Sequence, residues 1–213
     1  MKDYQNDGVA KLLKASLELP QIEVLNEVVL PVRESAVIVV DMQNDFVKPG
    51  GKLRVPTAEA TVPAISRLLS NARAKGVRVF YTQDTHWPGD PEFEIWGEHV
   101  LYKSWGWQIV DELKPTERDI VIMKTRYDGF YGTPLEDLLR AYKIKYTVIV
   151  GTVANICVLH TAGSAALRGF KVVMPMDGVS ALNDFDYYSA LRQVSFLYKG
   201  LIVKSVDGIK FSD

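Results

Sequence analysis

Among its 213 residues this chain has a single cysteine, Cys157, and only three histidines. It has no long apolar run, no excess of either charge, no internal repeat and no low-complexity tract. One thiol cannot close an internal disulfide, and the sequence does not open with the basic, apolar and small-residue succession of a secretory leader. A reducing, cytoplasmic compartment is therefore expected. The longest apolar stretches, such as VIVV and TVIVG, fall far short of the roughly 20 residues a membrane span needs, so no membrane helix is predicted. With 25 basic against 26 acidic residues, no net field attracts a phosphate backbone. No stretch interleaves aromatic with basic side chains as nucleic-acid readers do. Neither nucleic acid nor membrane is expected as a partner, which leaves a small molecule. A chain of this length reads as one domain, able to bury roughly 70% of the surface its unfolded form exposes.

From Ser35 onward, short β-branched runs alternate with helical patterns. That is the pattern of a mainly parallel sheet covered by helices on both faces, a three-layer α/β/α sandwich of about six strands. The strands read as 36–40, 77–83, 119–123, 146–151, 170–174 and 201–204. TVPAISRLLSNARAKG, stopping at Gly76, reads as a helix, as do PLEDLLRAYK and CVLHTAGSAALRG. Residues 1–34 break the alternation. GVAKLLKASLEL looks like an amphipathic helix and IEVLNEVVLPV like a strand, an extension expected to pack on the core or on a neighbouring subunit. Residues 35–213 form the domain proper.

In open α/β sheets, ligands bind beyond the carboxyl ends of the strands, so the residues that follow each strand matter most. AVIVV ends in Asp41, VRVFYTQ in Asp84 with His86 two residues on, and DIVIM in Lys124, while YTVIVG leads within six residues to Cys157. Each alone fits a structural use: a buried thiol as a small apolar residue, an aspartate as a loop cap, a lysine as a solvated strand end. Gathered at one rim they make a set for attack on a carbonyl. It comprises a nucleophile, a carboxylate to take and return its proton, a cation, and helix-terminal N–H groups for an oxyanion. The helix start after Cys157 and the Lys124 ammonium are both expected to favour a thiolate.

DMQNDF (41–46), KTRYDGFYGTPL (124–135) and GTVANICVLHTAGSAALRGF (151–170) together resemble the isochorismatase-like cysteine hydrolases. That family includes nicotinamidases, N-carbamoylsarcosine amidase and ureidoacrylate amidohydrolases, and the resemblance runs from about residue 35 to the end. It implies a catalytic triad of Asp41, Lys124 and Cys157. It also implies a non-proline cis peptide between Thr152 and Val153 and an oxyanion hole of the Val153 and Cys157 N–H groups. The metal-dependent members hold a divalent ion through an Asp-x-His pair and a later histidine, which here implies Asp84, His86 and His99. Imidazole and carboxylate donors suit zinc, with iron or manganese as alternatives. Phe46 and Trp96 match aromatic positions that line the nicotinamidase pocket, and a homo-oligomer is implied too. His160, one turn past Cys157, matches no family position and reads as a packing residue.

The resemblance implies an amidohydrolase that works through a cysteine thioester and converts a small carboxamide to a carboxylate and ammonia. Nicotinamide is the first substrate it suggests. Some features depart from the nicotinamidases: HVLYKSWGW follows His99, GDPEFE stands where many carry a further histidine, and Asn155 replaces an aspartate. GFYGTPL and the NICV turn look more like the ureide-hydrolysing relatives, which keeps an N-carbamoyl or ureido acid as the alternative. An isochorismatase proper lacks the nucleophilic cysteine, so Cys157 argues against that activity. A non-enzymatic interaction protein would have no use for a complete triad.

Overall fold

The computed structural model describes residues 20–213. Ten strands are present among them: β1 (Val24–Leu25), β2 (Val28–Pro31), β3 (Ser35–Val40), β4 (Arg78–Asp84), β5 (Ile120–Lys124), β6 (Tyr146–Thr152), β7 (Lys171–Pro175), β8 (Val179–Ser180), β9 (Leu201–Val203) and β10 (Ile209–Ser212). The main sheet runs β1-β9-β7-β6-β3-β4-β5, with β8 paired to β6, and every pairing in it is parallel. The six strands expected from sequence are all there, their ends shifted by at most one residue. Two short strands, β1 and β8, bring the sheet to eight.

The helices are α1 (Asn44–Val47), α2 (Ala58–Lys75), α3 (Phe93–Trp96), α4 (Leu135–Ala141), α5 (Leu159–Leu167) and α6 (Asp184–Tyr198). Every residue of β3 is buried, which requires cover on both faces of the sheet and explains why AVIVV reads as an unbroken apolar run. Burying each such valine or isoleucine contributes about 1.5–3 kcal/mol. The stop expected at Gly76 is where α2 ends. Gly76 takes φ 79°, and its N–H closes on the carbonyls of Ala72 and Arg73, a left-handed cap suited to glycine. Among the described residues, no helix is long and apolar enough to cross a membrane.

The helix read at GVAKLLKASLEL lies outside the described residues. In the strand-like segment after it, β1 joins the edge of the main sheet beside β9, and β2 pairs in parallel with β10 as a separate two-stranded sheet.

The order of the strands positions the site. From β3 the chain moves outward through β4 and β5, then returns to the other side of β3 with β6 and continues to β7 and β9. The carboxyl ends of β3 and β6 therefore flank the switch point where a crevice must open. The register sets Val40 of β3 beside Gly151 of β6 and Thr82 of β4, and Asp84 of β4 beside Lys124 of β5. A Cβ on Gly151 would stand 2.1 Å from the carbonyl oxygen of Val40. Only glycine lets the two strands approach this closely at the rim.

Candidate active site

Asp41 leaves β3 in a left-handed backbone conformation, φ 52°, which aspartate adopts more readily than most residues. Its Oδ1 accepts a hydrogen bond from Thr82 Oγ1 at 2.7 Å. Lys124, at the end of β5, is wholly buried. Its Nζ lies 2.7 Å from Asp41 Oδ2, 3.1 Å from Asp84 Oδ1 and 3.8 Å from Cys157 Sγ. Cys157 sits on a π-helical turn, Ala154–Val158, directly after a cis peptide bond between Thr152 and Val153. In that turn the Val158 N–H reaches back to the Val153 carbonyl at 3.2 Å, the wide ring of a π-turn, a form that recurs at functional sites. The turn leads straight into α5. Asp41, Lys124 and Cys157, read from three separate strands, thus meet around one ammonium.

Electrostatics at this point differ from the expectation of a resting thiolate. Burial pushes the Cys157 thiol up, and the carboxylates of Asp41 and Asp84 add to the rise. Lys124 opposes them without overcoming them, and the thiol stands well above its ordinary range. Burial likewise raises Asp41, with Asp84 adding and Lys124 opposing. For Lys124, burial works against the charge, but Asp41 and Asp84 outweigh it and hold the ammonium well above the usual lysine range. The resting pair is a neutral thiol beside a carboxylate whose affinity for protons is raised. One cation shared between two carboxylates cannot also ionise the sulfur.

Asp84 has two roles in this network. One oxygen faces Lys124. The other lies 3.4 Å from His86 Nε2 and 3.8 Å from His99 Nε2. Burial alone would raise its carboxyl; Lys124 and His86 outweigh that and bring it down to about 2. With Glu92, which the sequence reading did not select, these residues form a buried Asp84, His86, Glu92 and His99 cluster. One donor atom from each lies within 4.8 Å of all the others. His86 Nδ1 meets Asp90 Oδ2 at 2.9 Å and His99 Nδ1 donates to the Gly97 carbonyl at 2.8 Å, so both Nε2 atoms are turned inward. His86 Nε2 is buried and has no hydrogen-bond partner. An orphaned imidazole nitrogen facing two carboxylates and a second imidazole is the donor set of a divalent ion, and the residues fit one.

Gln43 also went unrecognised, although it lies within DMQNDF. Its Nε2 donates to the Asp84 carbonyl and to the Trp107 carbonyl, and its Oε1 accepts the Asp84 N–H, each at 2.8 Å. The side chain acts as a short strand beside Asp84 and fixes the direction of that carboxylate. Asp45 works similarly, accepting the Val100 N–H at 2.7 Å next to His99.

Beside Cys157 opens a cleft of about 300 Å³, lined by Phe46, Trp96, Tyr127, Ile156 and Leu182, by Lys52 and Arg54 on one loop, and by Asp84, Glu92, His99, Val153 and Cys157. Phe46 is buried with its ring edge-on to His99 at 6.0 Å. Trp96 is 37% exposed and its Nε1 donates to Tyr127 Oη at 2.8 Å. The reading of His160 as a packing residue does not hold. It is exposed, its Nδ1 lies 2.7 Å from the Ile156 carbonyl, and its ring stands 5.6 Å from Tyr127. One turn past Cys157 the chain already faces outward. Asn155 is half-buried with Oδ1 unpartnered and does not line the cleft.

The isochorismatase domain model matches residues 35–205. Among solved structures, the chain is similar to N-carbamoylsarcosine amidase from Thermoplasma acidophilum, with 37% identity and a TM-score of 0.75 over 82% of this chain and 97% of that one. It is similar to the pyrazinamidase of Pyrococcus horikoshii in complex with zinc, at 30% identity and a TM-score of 0.73 over 84% and 99%. A nicotinamidase/pyrazinamidase from Bacillus subtilis matches at 27% identity and a TM-score of 0.77 over 80% and 100%.

Proposed function

This chain belongs to the isochorismatase domain family, and from that premise we propose that it is an amidohydrolase that cleaves a small carboxamide through a thioester on Cys157. The observation that carries the reading is the contact of one buried ammonium, Lys124, with both the Asp41 carboxylate and the Cys157 thiol at the base of an open cleft.

The amide carbonyl carbon approaches Cys157 Sγ from the cleft. Asp41, raised by burial, takes the thiol proton as the sulfur attacks, and Lys124 balances the charge that passes between them. The Val153 and Cys157 N–H groups receive the oxyanion. The tetrahedral intermediate collapses as Asp41 returns the proton to nitrogen, and ammonia leaves. A water that gives its proton to Asp41 then attacks the thioester; the carboxylic acid departs and the sulfur is reprotonated. Asp84, His86 and His99, with Glu92 beside them, would hold a divalent ion, with zinc first by donor type and iron or manganese next. When bound, that ion supplies a Lewis-acid position that anchors a substrate heteroatom.

Nicotinamide is the substrate proposed first. Phe46 and Trp96 supply flat apolar walls for its ring, and the inward-facing donor cluster lies beside the thiol. A second reading, an N-carbamoyl or ureido acid, is favoured by Lys52 and Arg54, cations lining the cleft where a substrate carboxylate would sit, and by the 37% identity to N-carbamoylsarcosine amidase.

The experiment is ammonia release from nicotinamide and from a panel of N-carbamoyl and ureido acids, before and after chelation and after return of zinc or manganese. Nicotinamide turnover that chelator abolishes and metal restores is the expected result. Release from ureides alone, indifferent to chelator, keeps the triad and discards the role of the metal. No release from any amide in the panel overturns the reading.

A further inference from the structure

The carboxylate of Asp90 belongs to none of the roles above, yet both of its oxygens are engaged beside the donor cluster. Its Oδ2 lies 2.9 Å from His86 Nδ1, and its Oδ1 accepts the Glu92 N–H at 2.9 Å. Arg126 Nη1 reaches both of its oxygens, at 3.2 and 3.3 Å, and lies 3.7 Å from Glu92 Oε2. A carboxylate can only accept, so His86 must carry its proton on Nδ1. In the neutral ring, the form that can bind a metal ion, the lone pair is then on Nε2, the buried nitrogen with no hydrogen-bond partner that faces Asp84 and Glu92. Arg126 follows Lys124 and Thr125 directly, so the same guanidinium ties the loop carrying His86, Asp90 and Glu92 to the end of the strand that supplies Lys124.

We propose that Asp90, held by Arg126, is the positioning residue of this site: it fixes the tautomer and ring orientation of His86 and thereby sets the affinity for a divalent ion. The inference rests on the metal reading of Asp84, His86 and His99. Hydrogen bonds of this kind from a ligand histidine to a carboxylate are worth roughly 10–100-fold in metal affinity where they occur. In this chain the arrangement goes one step further, because the carboxylate is itself anchored by an arginine from the loop that follows β5.

The test is zinc affinity by chelator competition, on wild type, Asp90→Ala, Asp90→Asn and Arg126→Gln, with the side-chain nitrogen shifts of His86 read by NMR in metal-free protein. Asp90→Ala is expected to weaken zinc binding about 10–100-fold and to release His86 from its single Nδ1–H tautomer. Asp90→Asn, which keeps an acceptor, recovers part of both. Arg126→Gln is expected to give a smaller loss in the same direction; if Asp90→Ala fails to fold, this variant decides, and unchanged affinity in it overturns the inference. Zinc binding within twofold of wild type in Asp90→Ala, with the tautomer kept, overturns the inference alone. A wild type that takes up no zinc, iron(II) or manganese(II) overturns the metal reading and the inference together.

Discussion

Cys157→Ala is expected to lower amide turnover by about a thousandfold or more, the scale at which removing a covalent nucleophile leaves only binding and oxyanion stabilisation. The side chain is 6% exposed at the point where the cleft meets Asp41 and Lys124, and no other residue among the described ones offers a thiol. The fold should survive. Removing one sulfur beside an open cleft costs on the order of 1 kcal/mol, and the π-turn that carries the residue is held by main-chain hydrogen bonds. Cys157→Ser should be equally inactive, since a serine hydroxyl in this buried, doubly anionic setting gives up its proton even less readily than the thiol. Ammonia release and a thermal melt on the same preparation check both halves. Activity above a few per cent of wild type in a folded Cys157→Ala protein would exclude the covalent route.

Lys124→Met is expected to have the largest effect on stability. The ammonium is the common partner of two buried carboxylates, at 2.7 Å and 3.1 Å. Replacing it with a side chain of similar length and no charge leaves Asp41 and Asp84 facing each other without compensation. Breaking a buried ion pair on one side costs about 3–5 kcal/mol, which for a domain of this size lowers Tm by on the order of 10 °C. Turnover should vanish as well, because nothing then balances the charge moving between the sulfur and Asp41. The melt belongs on chelated protein, so that a bound cation cannot stand in for the lost one. A Tm within 2 °C of wild type, or retained turnover, would mean that Lys124 is a bystander.

The part of this site that was legible from sequence follows from parallel-sheet geometry. Strands that start and end in step place their trailing residues at one rim, so strand order in the sequence already gathers Asp41, Asp84, Lys124 and Cys157. It does not give the pairings across the rim. That Asp84 touches Lys124 as well as the histidines depends on the register of β4 against β5, and this second carboxylate adds to the burial and the Asp41 charge that keep the Cys157 thiol protonated. Glu92 and Asp90 lie in a loop with no apolar period to orient them, so GDPEFE showed only that a histidine was lacking. Gln43 lies inside DMQNDF, but no spacing rule says that a side-chain amide will pair with a main chain 41 residues away. Helix α6 shows no clean apolar stripe in the sequence, because Phe185, Tyr188 and Phe196 are exposed and blur the one that Ala190, Leu191 and Val194 make. The signal that was there is local: Asn183, whose side chain accepts the Asp186 N–H at 2.9 Å, is an N-cap.

The thioester on Cys157 is the central claim, and mass spectrometry of enzyme acid-quenched during turnover tests it most directly, with whichever of nicotinamide or the ureido acids releases ammonia as substrate. The predicted result is one acyl adduct on the peptide that carries Cys157, lost on treatment with hydroxylamine and absent from Cys157→Ala. Sustained turnover with unmodified Cys157, in enzyme quenched fast enough to capture an acyl group, would contradict it.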